Sequence, residues 1–206
     1  MEKARIAVMV SGGGTNLQAL IDAQISGIIK SGEICLVLSN SHSAYALERA
    51  KNAGIKTFSV TKKECGSQDA FEKALIEELE KETIDLIVLA GFLSILSKNF
   101  TDRFSKRIIN IHPSLIPSFC GEGFYGLKVH EAALEKGVKV TGATVHYVNE
   151  IPDGGEIILQ KAVYIRKNDT PETLQRRVME QAEWKILPAA AEICSKKIIK
   201  NKESIK

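Results

Sequence analysis

The sequence predicts an α/β fold, a doubly wound, mostly parallel sheet with an antiparallel C-terminal extension. Three observations carry this. Apolar runs of strand length alternate with longer amphipathic stretches, the pattern of βαβ units. The apolar run at residues 84–89 is continuous, as suits a strand buried on both faces. Residues 141–148 and 156–163 then follow one another with only residues 149–155 between them, and their alternation suits antiparallel strands.

The elements fall in order. Residues 5–10 form a strand, and a glycine-rich turn leads into a helix over about 16–28. Strand 34–38 precedes a helix near 44–52, and strand 56–60 precedes a helix near 68–81. Strand 84–89 is the fourth and 107–111 the fifth, followed by a helix near 128–136. After the two antiparallel strands, Thr170 is placed to cap the last helix with Pro171 at its first position, where the missing N–H is not needed. That helix runs to about Trp184, meets Pro188, and resumes in the alanine-rich segment beyond it.

Length and composition bound the function. At 206 residues the chain is expected to be a single domain over 1–206, with its core at about 4–190 and a C-terminal helix and basic tail after it. The net charge of +3 is spread among mixed acids and bases, which argues against nucleic acid as a partner. The basic residues 196–202 read as a solvated helix end or frayed tail. No apolar run is long enough to span a bilayer, and the N-terminus has no signal-peptide pattern. Cys35, Cys65, Cys120 and Cys194 are scattered without a C-x-x-C, which fits free thiols in the cytoplasm rather than disulfides or zinc. No histidine spacing supports a metal.

The most informative stretch is Ile108-Ile109-Asn110-Ile111-His112-Pro113-Ser114. Side chains alternate along a strand, so Asn110 and His112 point the same way, roughly 6–7 Å apart. Pro113 ends regular pairing. Open α/β sheets bind ligands at the carboxyl ends of their strands, and an amide and an imidazole displayed there can donate hydrogen bonds and move a proton. The bland alternative is a strand whose last polar residues cap a turn.

Ser11-Gly12-Gly13-Gly14-Thr15-Asn16 lies between the first strand and the first helix. Such a loop lets backbone approach a phosphate, and the helix N-terminus offers unpaired N–H groups. Leu17 stands where a dinucleotide fingerprint needs its third glycine, and no Gly-Lys-Ser/Thr follows. A phosphate monoester on Gly14, Thr15 and Asn16 is the economical reading; a tight turn with Thr15 or Asn16 capping the helix is the other.

Asp153-Gly154-Gly155 is by itself a turn former. If it folds over the carboxyl edge of the sheet, Asp153 approaches His112 and raises its pKa. His42 reads as solvated, His130 as a surface or packing residue, and His146 as a satisfied core histidine more readily than a catalytic one. Glu183 reads as a surface carboxylate on an amphipathic helix.

Taken together and in this order, these motifs resemble the phosphoribosylglycinamide formyltransferase family. The resemblance rests on Ser11 to Asn16, Leu89-Ala90-Gly91-Phe92, Asn110-Ile111-His112-Pro113-Ser114, Thr141-Gly142-Ala143-Thr144-Val145-His146, Asp153-Gly154-Gly155, Glu183 and Pro188. It implies a Rossmann-like formyltransferase fold and transfer of a formyl group from 10-formyltetrahydrofolate to the amine of glycinamide ribonucleotide, in purine biosynthesis. It implies that Gly14, Thr15 and Asn16 hold the substrate phosphate and Glu183 the ribose hydroxyls. Leu93, Ser94, Ile95 and Leu96 would line the folate site, largely through backbone groups, with Gln68 near the folate. Asn110, which also faces the folate, His112 and Asp153 would be the catalytic set, and residues 149–153 would close over the pterin. A monomer or weak homodimer is expected.

The chain departs from the family pattern at Ser94, where familiar relatives often carry Arg, and at Gln68, where some carry a basic residue. Residues 120–128 look longer than in some relatives and serve either as a mobile lid or as a plain surface loop. Formyltetrahydrofolate deformylase shares the catalytic set but carries an extra N-terminal domain, and methionyl-tRNA formyltransferase a further C-terminal one. A chain running from first strand to last helix fits neither expectation. A phosphate-binding module without chemistry would need Asn110, His112 and Asp153 to be only turn residues.

Overall fold

The computed structural model describes residues 2–204. A seven-stranded sheet runs in the order β3-β2-β1-β4-β5-β6-β7. Its strands are β1 (Ala4–Val10), β2 (Gly32–Ser39), β3 (Lys56–Ser59), β4 (Leu86–Leu89), β5 (Ile108–His112), β6 (Val140–Tyr147) and β7 (Ile157–Tyr164). Pairings among β1 to β5 are parallel, while β5–β6 and β6–β7 are antiparallel. The chain builds outward from β1 to β3, then returns to lay β4 on the other side of β1. That reversal opens a crevice at the carboxyl ends of β1 and β4, where such sheets take ligands.

The helices between β1 and β4 are α1 (Thr15–Ile25), α2 (Tyr45–Asn52), the short α3 (Lys62–Cys65) and α4 (Gln68–Lys81). Beyond β4 come α5 (Lys98–Arg103), α6 (Leu127–Lys136), α7 (Pro171–Val178), a π-helical turn (Met179–Glu183) and α8 (Trp184–Glu203). Strand alternation assigns the two cores. Ile6, Val8 and Val10 of β1 pack with Leu17 and Leu20 of α1 and Leu187 of α8. Ala7 and Met9 point the other way, onto Phe71, Leu75 and Leu79 of α4 and Phe100 of α5.

The predicted start of α7 is borne out: the Thr170 side chain accepts from the Thr173 N–H, and Pro171 follows at the first position. Two short helices fall outside the sequence reading. Each has a local signal, the capping Thr61 of α3 and the capping Ser97 of α5. Pro188 does not interrupt the last helix. It sits one turn after the π-helical stretch, where the hydrogen-bond ladder is already shifting register, and α8 continues to Glu203. The basic end is helical and anchored rather than frayed, with Lys202 Nζ 2.8 Å from Asp85 Oδ1.

Candidate active site

A cavity of about 670 Å³ opens at the carboxyl ends of β1, β4 and β5. Thr15, Asn16, Asn110, His112, Asp153 and Glu183 all line it, although they lie up to 168 positions apart (15 to 183). Leu93, Ser94 and Ile95 line it as well. Three predicted residues stand outside its wall. Gly14 adopts φ 72° at the cap of α1, and a Cβ there would meet the Cβ of Ala46 at 2.6 Å. The missing Cβ lets α2 approach the loop closely. Leu96 is buried in the α4 core, and the Gln68 amide donates to Glu72 Oε1 at 2.7 Å and to the Ile95 carbonyl at 3.1 Å.

The loops are tied together before any ligand arrives. The Ser11 hydroxyl accepts from the Leu93 N–H at 2.8 Å, and Asn40 Nδ2 donates to Ser94 Oγ at 2.7 Å. Arg49, which the sequence reading passed over, donates from Nε to the Gly13 carbonyl at 2.8 Å and brings a cation beside the glycine turn. Neither Thr15 nor Asn16 caps α1: no side-chain cap is present. The first-turn N–H groups therefore remain available at the cavity.

β5 presents Asn110 and His112 on one face, and the antiparallel register sets His146 directly across from Asn110. Asp153 comes over this edge at φ 54°, a left-handed conformation that Asp tolerates better than most residues. Gly155 behind it must be glycine, because a Cβ there would lie 1.7 Å from the Tyr147 carbonyl oxygen. His112 Nδ1 lies 3.4 Å from Asp153 Oδ2, and His146 Nε2 lies 3.4 Å from Asp153 Oδ1. Asn110 Nδ2 stands 3.2 Å from His146 Nε2 and donates to Asp153 Oδ1 at 3.4 Å. The Gly121 N–H donates to Asp153 Oδ2 at 2.9 Å.

Hydrogen-bond partners assign the tautomers. A carbonyl only accepts, so His112 Nε2 carries a proton to the Phe119 carbonyl at 2.9 Å, and His146 Nδ1 carries one to the Tyr147 carbonyl at 2.8 Å. Asp153 does push the His112 pKa up, as expected, but that push does not set the net direction. Burial is the larger influence and pulls His112 below its ordinary value; the Asp153 carboxylate and the Phe119 carbonyl push back without overcoming it. Burial alone would raise Asp153. The neighbouring His146 and His112 rings and the Gly121 N–H instead hold it below the usual carboxylate range.

The reading of Glu183 needs correcting. It is 6% exposed, not a surface carboxylate, because the π-helical turn rotates it inward. Asn16 Nδ2 donates to its Oε2 at 2.7 Å, yet burial outweighs that one bond and pushes Glu183 up to about 7. His146, at 1% exposure, is a core histidine that also touches Asn110 and Asp153. Its sequence signal was the polar alternation Thr144, His146 on β6, but the strand register that brings it to Asn110 was not readable. His130 is fully buried at 0% and also lines the cavity. His42 is half exposed, bonded to Ser59 at 2.8 Å and to Glu64 at 2.8 Å, away from the cavity. Among the described residues no cluster of metal-ligating side chains is present, and no helix is long and apolar enough to cross a membrane.

Comparison with known proteins adds independent findings. The formyl transferase family model matches residues 4–191. A phosphoribosylglycinamide formyltransferase of Haemophilus influenzae is 44% identical, covering 89% of this chain and 84% of its own length. The trifunctional purine biosynthetic protein adenosine-3 of Homo sapiens is 45% identical over 93% of this chain; the chain spans 18% of that relative's length. A crystal structure of glycinamide ribonucleotide transformylase 1 from Symbiobacterium toebii superposes with a TM-score of 0.88 at 41% identity, covering 94% of this chain and 88% of that one.

Proposed function

The chain belongs to the formyl transferase family, and from that premise we propose that it is a phosphoribosylglycinamide formyltransferase acting in purine biosynthesis. It transfers the formyl group of 10-formyltetrahydrofolate to the primary amine of glycinamide ribonucleotide. The observation that carries this reading is the convergence of Asn110, His112 and Asp153 on one cavity with the Thr15–Asn16 helix start and Glu183.

The first turn of α1 and the Thr15 hydroxyl hold the phosphate, with Arg49 adding positive charge nearby. The Asn16 side chain is engaged by Glu183, so Asn16 serves the phosphate through its backbone and the ribose through its partner. Glu183 takes the ribose hydroxyls. On the other side, the exposed apolar side chains of Leu93 and Ile95 and the backbone of 93–96 receive the folate. Ser94 is held by Asn40 and supports that loop. Gln68 acts through the Ile95 carbonyl.

The substrate amine attacks the formyl carbon, and the carbonyl π pair moves onto oxygen. Asn110 and the Nε2–H of His112 donate to that developing oxyanion. In the resting geometry the Phe119 carbonyl accepts the His112 proton, so the formyl oxygen must take its place. A neutral imidazole N–H suffices for this, and the charge on oxygen then favours further protonation of His112. Asp153 steadies the ring and, through water, passes the amine proton to the folate nitrogen as the carbon–nitrogen bond to folate breaks. Tetrahydrofolate and the formylated ribonucleotide result.

Four free cysteines suit a reducing compartment such as the cytoplasm. The test is formyl transfer by purified protein with and without glycinamide ribonucleotide, beside His112→Ala. Tetrahydrofolate released only with the ribonucleotide, and lost in the variant, is the expected result. Release at the same rate without the ribonucleotide would make the protein a hydrolase, and no release in either case would make it a binding module.

A further inference from the structure

His130 is 0% exposed on α6, and neither ring nitrogen has a hydrogen-bond partner within the protein. Buried polar groups are nearly always paired, and leaving one unpaired is destabilising. Val129 and Ala133 beside it show that this face of α6 is otherwise apolar. An aliphatic side chain would fill such a position without that cost. The ring lines the same cavity as Asn110, His112 and Asp153, and Gln175, Met179 and Glu183 of α7 and the π-helical turn line it as well.

A second observation lies in the same cavity. Asn16 gives its Nδ2–H to Glu183, while its own buried Oδ1 has no partner in the protein. Three elements, α1, α6 and the π-helical turn, thus converge with unspent hydrogen-bonding capacity. We infer that His130 is a further recognition residue of this site, its imidazole binding a sugar hydroxyl of the ribonucleotide beside Glu183. This rests on the formyltransferase reading of the cavity.

The chemistry of the patch selects hydroxyls over ions. Burial, with a smaller push from His112, holds His130 at about 4, so its ring is uncharged at neutral pH. It offers one N–H donor and one lone pair. Asn16 offers a carbonyl acceptor, and Glu183, pushed up to about 7, is partly protonated and both donates and accepts. A hydroxyl also donates and accepts, so a vicinal diol can satisfy all three. The nitrogens are sealed from bulk water, so reaching them requires the ring to turn or its surroundings to shift.

Calorimetric binding of glycinamide ribonucleotide and its 2′-deoxy and 3′-deoxy analogues to the intact protein tests this. His130→Phe should weaken the ribonucleotide about tenfold, the size of one good hydrogen bond. The KM for 10-formyltetrahydrofolate should not change. One deoxy analogue should bind wild type about tenfold more weakly than the parent, yet show no further loss on His130→Phe, because the contact is already gone. His130→Gln, which keeps a donor and an acceptor, should recover part of the affinity, and it carries the same cycle if the Phe variant folds poorly. Ribonucleotide binding within about twofold of wild type in a folded Phe variant, or losses that simply add in the cycle, overturns the proposal. Wild type that fails to bind glycinamide ribonucleotide would overturn the substrate reading instead. The same variants measured with ribose 5-phosphate would then decide the sugar contact.

Discussion

Asp153 and Glu183 are carboxylates of one cavity, yet their surroundings push them in opposite directions. Asp153 sits on the loop beyond β6 among the Gly121 N–H, His112, His146 and Asn110, and stays below the usual carboxylate range. Glu183 sits on the π-helical turn with one donor, Asn16, and is pushed up to about 7. Both are desolvated; what differs is how many polar groups answer the charge. The loop region keeps a fixed negative charge next to an imidazole, which is the requirement for moving a proton. The helix region keeps a near-neutral pair of oxygens, which is the requirement for binding hydroxyls. Carboxylates pushed apart in this way divide the labour of a site.

The division breaks most sharply at Asp153. Asp153→Asn should lower kcat by about 10³-fold, with the ribonucleotide KM nearly unchanged, because the lost interaction serves the transition state. Steady-state kinetics with saturating folate reads both numbers. Wild-type-like turnover would remove Asp153 from the mechanism and leave the comparison without its chemical half.

Glu183→Gln should do the reverse, raising the ribonucleotide KM about 10–100-fold with a much smaller change in kcat. It also has a stability signature. The folded state holds the Glu183 proton up to about 7, above the ordinary value of 4.5. The folded protein therefore binds more protons in that window, and stability falls as pH rises through it. The loss amounts to at most ~3 kcal/mol above that range. Glutamine resembles the protonated acid, so the variant should resist urea better than wild type at pH 8 and match it near pH 4. Equal midpoints at pH 8 would mean that the carboxylate is not held protonated by its burial.

The two regions were unequally legible in the sequence. Asn110 and His112 declare themselves locally, since spacing of two on a strand puts side chains on one face whatever the rest of the fold does. The glycine turn and Asp153-Gly154-Gly155 are likewise short-range signals. Glu183 is different: on a regular helix its position falls on a solvated face, and only the π-helical turn, a register change invisible to 3.6-residue periodicity, carries it inward. His146 depends on which residue of β5 it meets, a matter of antiparallel register. The sign of the His112 shift depended on burial, which a list of neighbouring charges cannot supply.

His146 sharpens the comparison from within the loop region. It is a positioning residue, touching Asp153 and Asn110 from the core side. His146→Gln should lower kcat about tenfold, roughly 1.4 kcal/mol of barrier, with both KM values kept. Asp153 would lose one of the groups holding its pKa down, so the acid limb of the kcat profile should move to higher pH. A drop in kcat with an unmoved profile would mean that His146 only packs the strand.

The smallest effect is expected at Gln68, which belongs to neither carboxylate region. Its amide meets Glu72 and the Ile95 carbonyl rather than the cavity. Glu72 also accepts from the Ser97 N–H at 2.7 Å and from the Ser97 hydroxyl, and Leu93 is tied to Ser11. With Gln68→Ala the loop therefore loses one tie among several. The KM for 10-formyltetrahydrofolate should rise no more than about threefold, the cost of a single exposed hydrogen bond, and kcat and the ribonucleotide KM should hold. A rise of tenfold or more would mean that Gln68 reaches the folate itself once it binds. The loop would then have to reorganise on binding, and the folate side of the cavity would be the least preformed part of the site.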